Sequence, residues 1–201
     1  MNHPLSVSKG KATLAILFTS LFILGSVLGV ITQNPIRLNL WFSLLSGVIA
    51  PACVLIFLIT GKKEYRLKNA LLPIAFSILT FESLLGLIMF VKQWQVSSFL
   101  SRSLTVFILP MLLLVAHILS LWGSLNPIKF LSLLRIGTLV SVLLAIAELL
   151  SFLPRVFMYI SYELLNPLPL LFSAGIQYLF TILFYVGIFL LTTGKRQKEN
   201  A

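Results

Sequence analysis

The sequence predicts an all-α polytopic membrane protein, a six-helix transmembrane bundle with both termini cytoplasmic. Three observations predict it. The 201 residues are 59% hydrophobic and 10% charged, whereas soluble domains are about 45–50% apolar and about 25% charged. Apolar runs longer than the ~20 residues needed to cross a bilayer recur along the chain. The basic residues, which dominate a net charge of +10, fall between these runs, where topology determinants belong. That placement argues against a nucleic-acid partner, for which basic groups would cluster on one exposed face. The chain reads as one transmembrane domain, residues 1–201, with no room for a soluble module.

The first span is expected at residues 12–32, behind Lys9 and Lys11. No small-residue cleavage site follows it, so it reads as an uncleaved anchor. Gly25 and Gly29 stand four apart on it, a spacing that lets helix backbones approach closely. Gln33-Asn34-Pro35 breaks the helix, because proline lacks an amide donor and restricts the residue before it. Span two is expected at 38–60. Ser43, Ser46, Gly47, Ala50 and Cys53 give it one small, weakly polar face, and Pro51 predicts a kink. The lone cysteine forms no internal disulfide and has no C-x-x-C partner.

Span three is expected at 69–91, with Pro73 in its first turn and Lys92-Gln93-Trp94 at the far interface. Span four, 103–123, carries Pro110 and His117. Asn126-Pro127 breaks the chain before span five, 131–153, where Thr138, Ser141, Ala145 and Glu148 recur at three-to-four spacing on one stripe. An interfacial segment from Pro154 to Pro167 precedes span six, 168–193, with Ser173, Gln177 and Thr181 on one side. With both ends inside, all of the 15 basic residues except Arg37, Lys92, Arg102 and Arg155 lie on the cytoplasmic side, as the positive-inside rule requires.

Glu82 is the centre of this arrangement. It lies nine residues from the outer end of its span, roughly 14 Å deep at 1.5 Å per residue. An ionisable residue at that depth costs at least a few kcal/mol and faces a bundle interior or a wet cavity. Desolvation favours a neutral, hydrogen-bonded carboxyl, and the expected partners are Gln177 at the same level or a carbonyl freed by Pro51 or Pro110. Glu148 is expected roughly 8 Å deep and His117 roughly 21 Å from the outer side. Ser120 and Ser124 share the face of His117, which suggests a hydrogen-bonded structural imidazole. Gly86, one turn from Glu82, would let a neighbouring helix close on that face. The ligand-binding candidates are therefore Glu82, Gln177, Glu148 and His117. Nothing in the spacing enforces a metal site, no cofactor is indicated, and no hydrolase, P-loop or zinc-protease motif occurs.

Several short stretches resemble one family. Trp41-Phe42-Ser43-Leu44-Leu45-Ser46-Gly47 is similar to the start of the second span in bacterial six-helix relatives of the androgen-induced membrane hydrolases. Gly29–Gln33, Leu67-Lys68-Asn69, Pro110 and the tyrosines Tyr159 and Tyr162 fit the same layout. The resemblance implies a lipid-ester hydrolase in a bacterial cytoplasmic membrane, with Ser43 as the catalytic candidate in place of a threonine. The histidine position falls at Thr105 or Val106, neither of which is a base, so the activity does not transfer with the layout.

Three functional readings follow. The first is binding or transport of a small or lipid-like ligand at a mid-membrane site around Glu82. The second is a lipid-ester hydrolase using Ser43. The third is a non-catalytic subunit or assembly factor of a membrane complex, using the Gly25/Gly29 face and the basic inner loop. The lipid bilayer is a partner in all three, and the small size points to a homodimer or a partner membrane subunit.

Overall fold

The computed structural model describes residues 9–32, 44–60, 65–96, 104–127, 129–161 and 175–193. They form six helices: α1 Lys9–Thr32, α2 Ala50–Ile59, α3 Tyr65–Val96, α4 Leu104–Leu125, α5 Leu131–Ser161 and α6 Ile176–Thr192. Four of them contain stretches long and apolar enough to cross a membrane: Gly10–Leu28, Ala70–Met89, Ile108–Leu125 and Leu131–Pro154. The other two, Leu45–Ile59 and Ile176–Thr192, are apolar but shorter. The protein is thus a multi-pass integral membrane protein.

Each helix packs chiefly against its neighbours in the chain, and α6 returns to α1, so the six close into a ring. The polarity of the ring is inside out relative to a soluble bundle. On α5, Ile136, Leu139, Leu143, Ile146 and Leu150 form an exposed apolar stripe at three-to-four spacing. The opposite face carries Leu134, Thr138, Ser141, Val142 and Ala145, all buried. Lipid solvates the first stripe, so helix association depends on close packing and internal hydrogen bonds. The hydroxyls on the inner face satisfy themselves locally. Thr138 Oγ1 donates to the Leu134 carbonyl at 2.8 Å and Ser141 Oγ to the Gly137 carbonyl at 3.0 Å.

Small residues set the distance between helices. A methyl group at Gly123 would stand 2.3 Å from the Leu134 backbone nitrogen, and one at Gly137 2.6 Å from the Ala116 carbonyl oxygen. Gly25 lies under the ring of Phe180, joining α1 to α6, and Gly47 lies against Ser26, joining α1 to the turn before α2. At one end of the ring the start of α1, the end of α6 and the start of α5 are tied together. Lys11 Nζ donates to Thr193 Oγ1 at 2.9 Å and Arg135 Nη2 to the Thr192 carbonyl at 2.6 Å. Cations there answer the carbonyls and partial negative charge at the C-terminus of α6.

Large side chains fill the ring toward that same end: Val54 and Phe57 from α2, Leu72 and Phe76 from α3, Leu134 from α5, Phe184 and Ile188 from α6. The prolines behave differently from expectation. Pro73 is inside α3 rather than in its first turn, because the helix starts at Tyr65, in good helix-forming sequence ahead of the expected boundary. Pro154 does not end span five; α5 runs through it to Ser161. A proline removes only one amide donor, and membrane helices accommodate it where neighbours re-satisfy the freed carbonyl. At Pro51 the expected distortion takes a specific form, a π-turn over Leu45–Ile49.

The close α4–α5 approach generates a paired expectation. Gly137→Ala should lower the thermal unfolding midpoint in detergent, by the equivalent of about 1–3 kcal/mol for overpacking. Gly86→Ala, whose new methyl would meet nothing within 4 Å, should leave the midpoint unchanged. Equal midpoints for wild type and Gly137→Ala would contradict the contact.

Candidate functional site

Toward the opposite end, the ring is hollow. A cavity of about 420 Å³ is lined by residues from α1, the π-turn, and α3 to α6. α1 contributes Phe22 and Ser26, and the π-turn before α2 contributes Ser46 and Gly47. α3 supplies Leu79, Glu82, Ser83 and Gly86, and α4 supplies Pro110, Leu113 and His117. Glu148 reaches in from α5, and Gln177, Thr181, Phe184 and Tyr185 from α6. Gln177 and Tyr185 are two turns apart, so the lined depth is roughly 12 Å along the bundle.

All four residues singled out as ligand-binding candidates, Glu82, Gln177, Glu148 and His117, line this one cavity. Ser43 lies outside the described residues. Thr105 and Val106 lie in the first turn of α4.

Two hydrogen-bonded links cross the interior. Ser46 Oγ donates to Glu82 Oε1 at 2.7 Å, joining the π-turn to α3. The geometry traces back to Pro51. With no amide hydrogen at that position, the preceding turn widens, and the Ala50 amide bonds the Leu45 carbonyl five residues back. Ser46 and Gly47, on that widened turn, are buried against Glu82 and Ser26 respectively. The partner expected for Glu82 was Gln177 or a freed carbonyl; the hydroxyl of Ser46 takes that place, a shorter side chain that fits where α2 is distorted.

The second link begins one residue along α3. Ser83 Oγ and His117 Nδ1 are 2.7 Å apart, and His117 Nε2 and Tyr185 Oη are 2.7 Å apart. One neutral imidazole satisfies both contacts, since one ring nitrogen donates and the other accepts. The imidazole is 2% exposed. This layer joins α3, α4 and α6 and forms the inner end of the cavity. Ser120 and Ser124, the expected partners of His117, instead donate to the carbonyls of Ala116 and Leu121 on their own helix. A short hydroxyl side chain on a helix reaches its own backbone more readily than a side chain a turn away.

Other polar groups remain open. The second oxygen of Glu82, the carboxyl of Glu148 and the side-chain amide of Gln177 have no hydrogen-bond partner among the described residues. Thr181 Oγ1 donates to the Gln177 backbone carbonyl at 2.8 Å, which leaves the Gln177 amide untouched. Gly86 opens onto the cavity, with nothing within 4 Å of where a side chain would begin, rather than seating a neighbouring helix. Among the described residues no three His, Cys, Asp or Glu side chains converge as a metal set.

Sequence reasoning missed Ser83 and Tyr185. Tyr185 continues the four-residue spacing of Gln177 and Thr181, so helical periodicity carries the signal for it. Ser83 gave no signal beyond its place next to Glu82. Comparison with protein-family models, with characterised proteins and with solved structures found no match.

Proposed function

We propose that the cavity around Glu82 is a binding site for a small or lipid-like ligand within the membrane, in a six-span bundle with both termini cytoplasmic. The observation that carries the reading is that polar groups from separate helices, far apart in sequence, meet in one space of about 420 Å³. Ligand pockets are typically about 300–1,000 Å³, mostly apolar, with a few convergent polar groups. Polar side chains in a membrane are costly, and a space bordered by the Glu148 carboxyl, the Gln177 amide and one oxygen of Glu82, beyond the groups that bond one another, supports a ligand. The reading concerns binding; movement of the ligand across the membrane would need a second open state of the ring.

The topology is supported by Lys11 and Arg135, which stand at the filled end of the ring, the end the positive-inside rule assigns to the cytoplasm. The cavity then occupies the outer half. The apolar stretches Leu45–Ile59 and Ile176–Thr192 fall within the expected spans two and six, whose first residues lie outside the described ones. A reporter fluorescent only in the cytoplasm should light when fused to the C-terminus, and a dark fusion with an active periplasmic reporter would reverse the topology.

The binding reading has a direct test at Gly86. Nile red, a neutral lipophilic dye, should bind the protein in lipid nanodiscs saturably, above empty nanodiscs. Gly86→Phe should abolish that binding with an unchanged unfolding midpoint, because the ring enters open space. Undiminished binding in the variant would move the site elsewhere.

A second reading, lipid-ester hydrolysis, is favoured by one observation: a serine hydroxyl 2.7 Å from an imidazole nitrogen in the wall of a cavity. That is within the roughly 2.6–3.2 Å reach of a nucleophile and its base. The hydroxyl is Ser83, not Ser43 of the family resemblance. A fluorophosphonate probe should then label the protein, and Ser83→Ala should lose the label. Absence of labelling in the wild type removes this reading.

A further inference from the structure

Resting on the binding reading above, we infer that the ligand is an organic cation: a protonated amine carried on an apolar body, with the amine toward Glu82 and Glu148 and the body toward the inner aromatic end. The charge of the wall is one-sided. Glu82 and Glu148 enter from different helices, and no lysine or arginine stands among the described lining residues. The one basic group, His117, has both ring nitrogens engaged, with Ser83 and Tyr185. It is therefore not available to an anion.

In the ionised form, which a bound cation favours over the neutral one, the carboxyls offer only acceptors. Glu82 uses one oxygen on Ser46, and its other oxygen and the Glu148 carboxyl are unpartnered among the described residues. An anionic ligand would add acceptors to acceptors. An uncharged apolar ligand would leave two carboxyl groups without hydrogen-bond partners, which is unfavourable for buried polar groups. An ammonium group carries three donors and no acceptor, and Gln177 adds a further acceptor at the outer level.

The space is far larger than a bare ion needs. The cavity measures about 420 Å³, and no three metal-ligating side chains converge among the described residues. Its inner end is aromatic. Phe22 stacks on Phe184 with centroids 4.7 Å apart and an interplanar angle of 16°, and Tyr185 tilts against Phe184 at 5.4 Å. Leu79 lies one turn inward of Glu82 on α3, and Phe184 two turns inward of Gln177 on α6. The wall is thus polar outward and apolar inward, which orients an amphiphile.

The test uses one fluorescent body with three head groups on the whole protein in nanodiscs, with empty nanodiscs subtracted. Dansylcadaverine carries a terminal ammonium, dansyl-aminohexanoate a carboxylate, and dansyl-butylamide no charge. The ammonium probe should bind saturably and at least tenfold more tightly than the other two. Its affinity should fall tenfold or more in Glu82→Gln/Glu148→Gln, with the neutral probe unaffected; the single substitutions serve if the double variant is not monodisperse. Glu82→Gln retains an acceptor for Ser46, so folding is preserved. Equal binding of the three heads, a preference for the carboxylate, or no effect of the substitutions overturns the cation while the cavity still binds. Saturable binding by none of the three, together with none by Nile red, overturns the binding reading itself.

Discussion

A polar group in hydrocarbon must find its partner inside the protein, and this bundle is arranged around that constraint. Its polar residues divide by reach. Thr19, Ser120, Thr138 and Ser141 are short, and each donates to the carbonyl four residues back on its own helix, at 2.7, 2.9, 2.8 and 3.0 Å. Such residues ask nothing of a neighbouring helix except that it be close, and the helices close around them. Glu82, Glu148 and Gln177 are long, and a carboxyl has no donor on its own helix to accept from. Wherever these residues lie, other helices must offer donors or leave room. The filled half of the ring holds the first group, and the hollow half the second.

Pro51 shows how a backbone defect is turned to this end. Its missing amide hydrogen widens the turn before it, which brings Ser46 within 2.7 Å of Glu82. A regular helix through the same residues would place that hydroxyl differently, and a glutamate near mid-membrane would lose its donor. Breaking a buried hydrogen bond by removing one partner costs more than the bond itself contributes, because the remaining group is desolvated and unpaired. The proline and the glutamate are therefore one device, although they stand on different helices.

Much of this was legible in the sequence, by one kind of argument. Span position and rise per residue give depth, and depth placed Glu82 and Gln177 at one level; both line the cavity, with Glu148 and His117. The stripe of Thr138, Ser141, Ala145 and Glu148 faces the interior as its spacing required. What depth does not give is azimuth. It could not tell that His117 turns toward Ser83 and Tyr185 rather than along its own helix to Ser120, because that choice depends on which helix lies opposite. Nor could it show that Gly86 opens onto space instead of a neighbour. Boundaries at prolines misled in two places, Pro73 and Pro154, since a breaker rule drawn from water-exposed helices overstates the effect of one lost donor in a membrane helix.

The hollow itself follows from counting helices. Six helices in a ring leave an axial gap of the order of a helix's own diameter, about 10–12 Å with side chains. Such a gap has to be filled or used. At the basic end it is filled, by Phe57, Phe76, Leu134, Phe184 and Ile188. At the other end the residues facing the axis include Ser26, Ser46, Gly47, Ser83 and Gly86, too small to meet across it. An apolar void of this kind would stay dry and empty. One bordered by two carboxyl groups with unsatisfied oxygens would not, because each oxygen draws in a donor. Small side chains on the walls and carboxylic ones on the rim are thus the features on which the proposed site for a hydrogen-donating ligand rests.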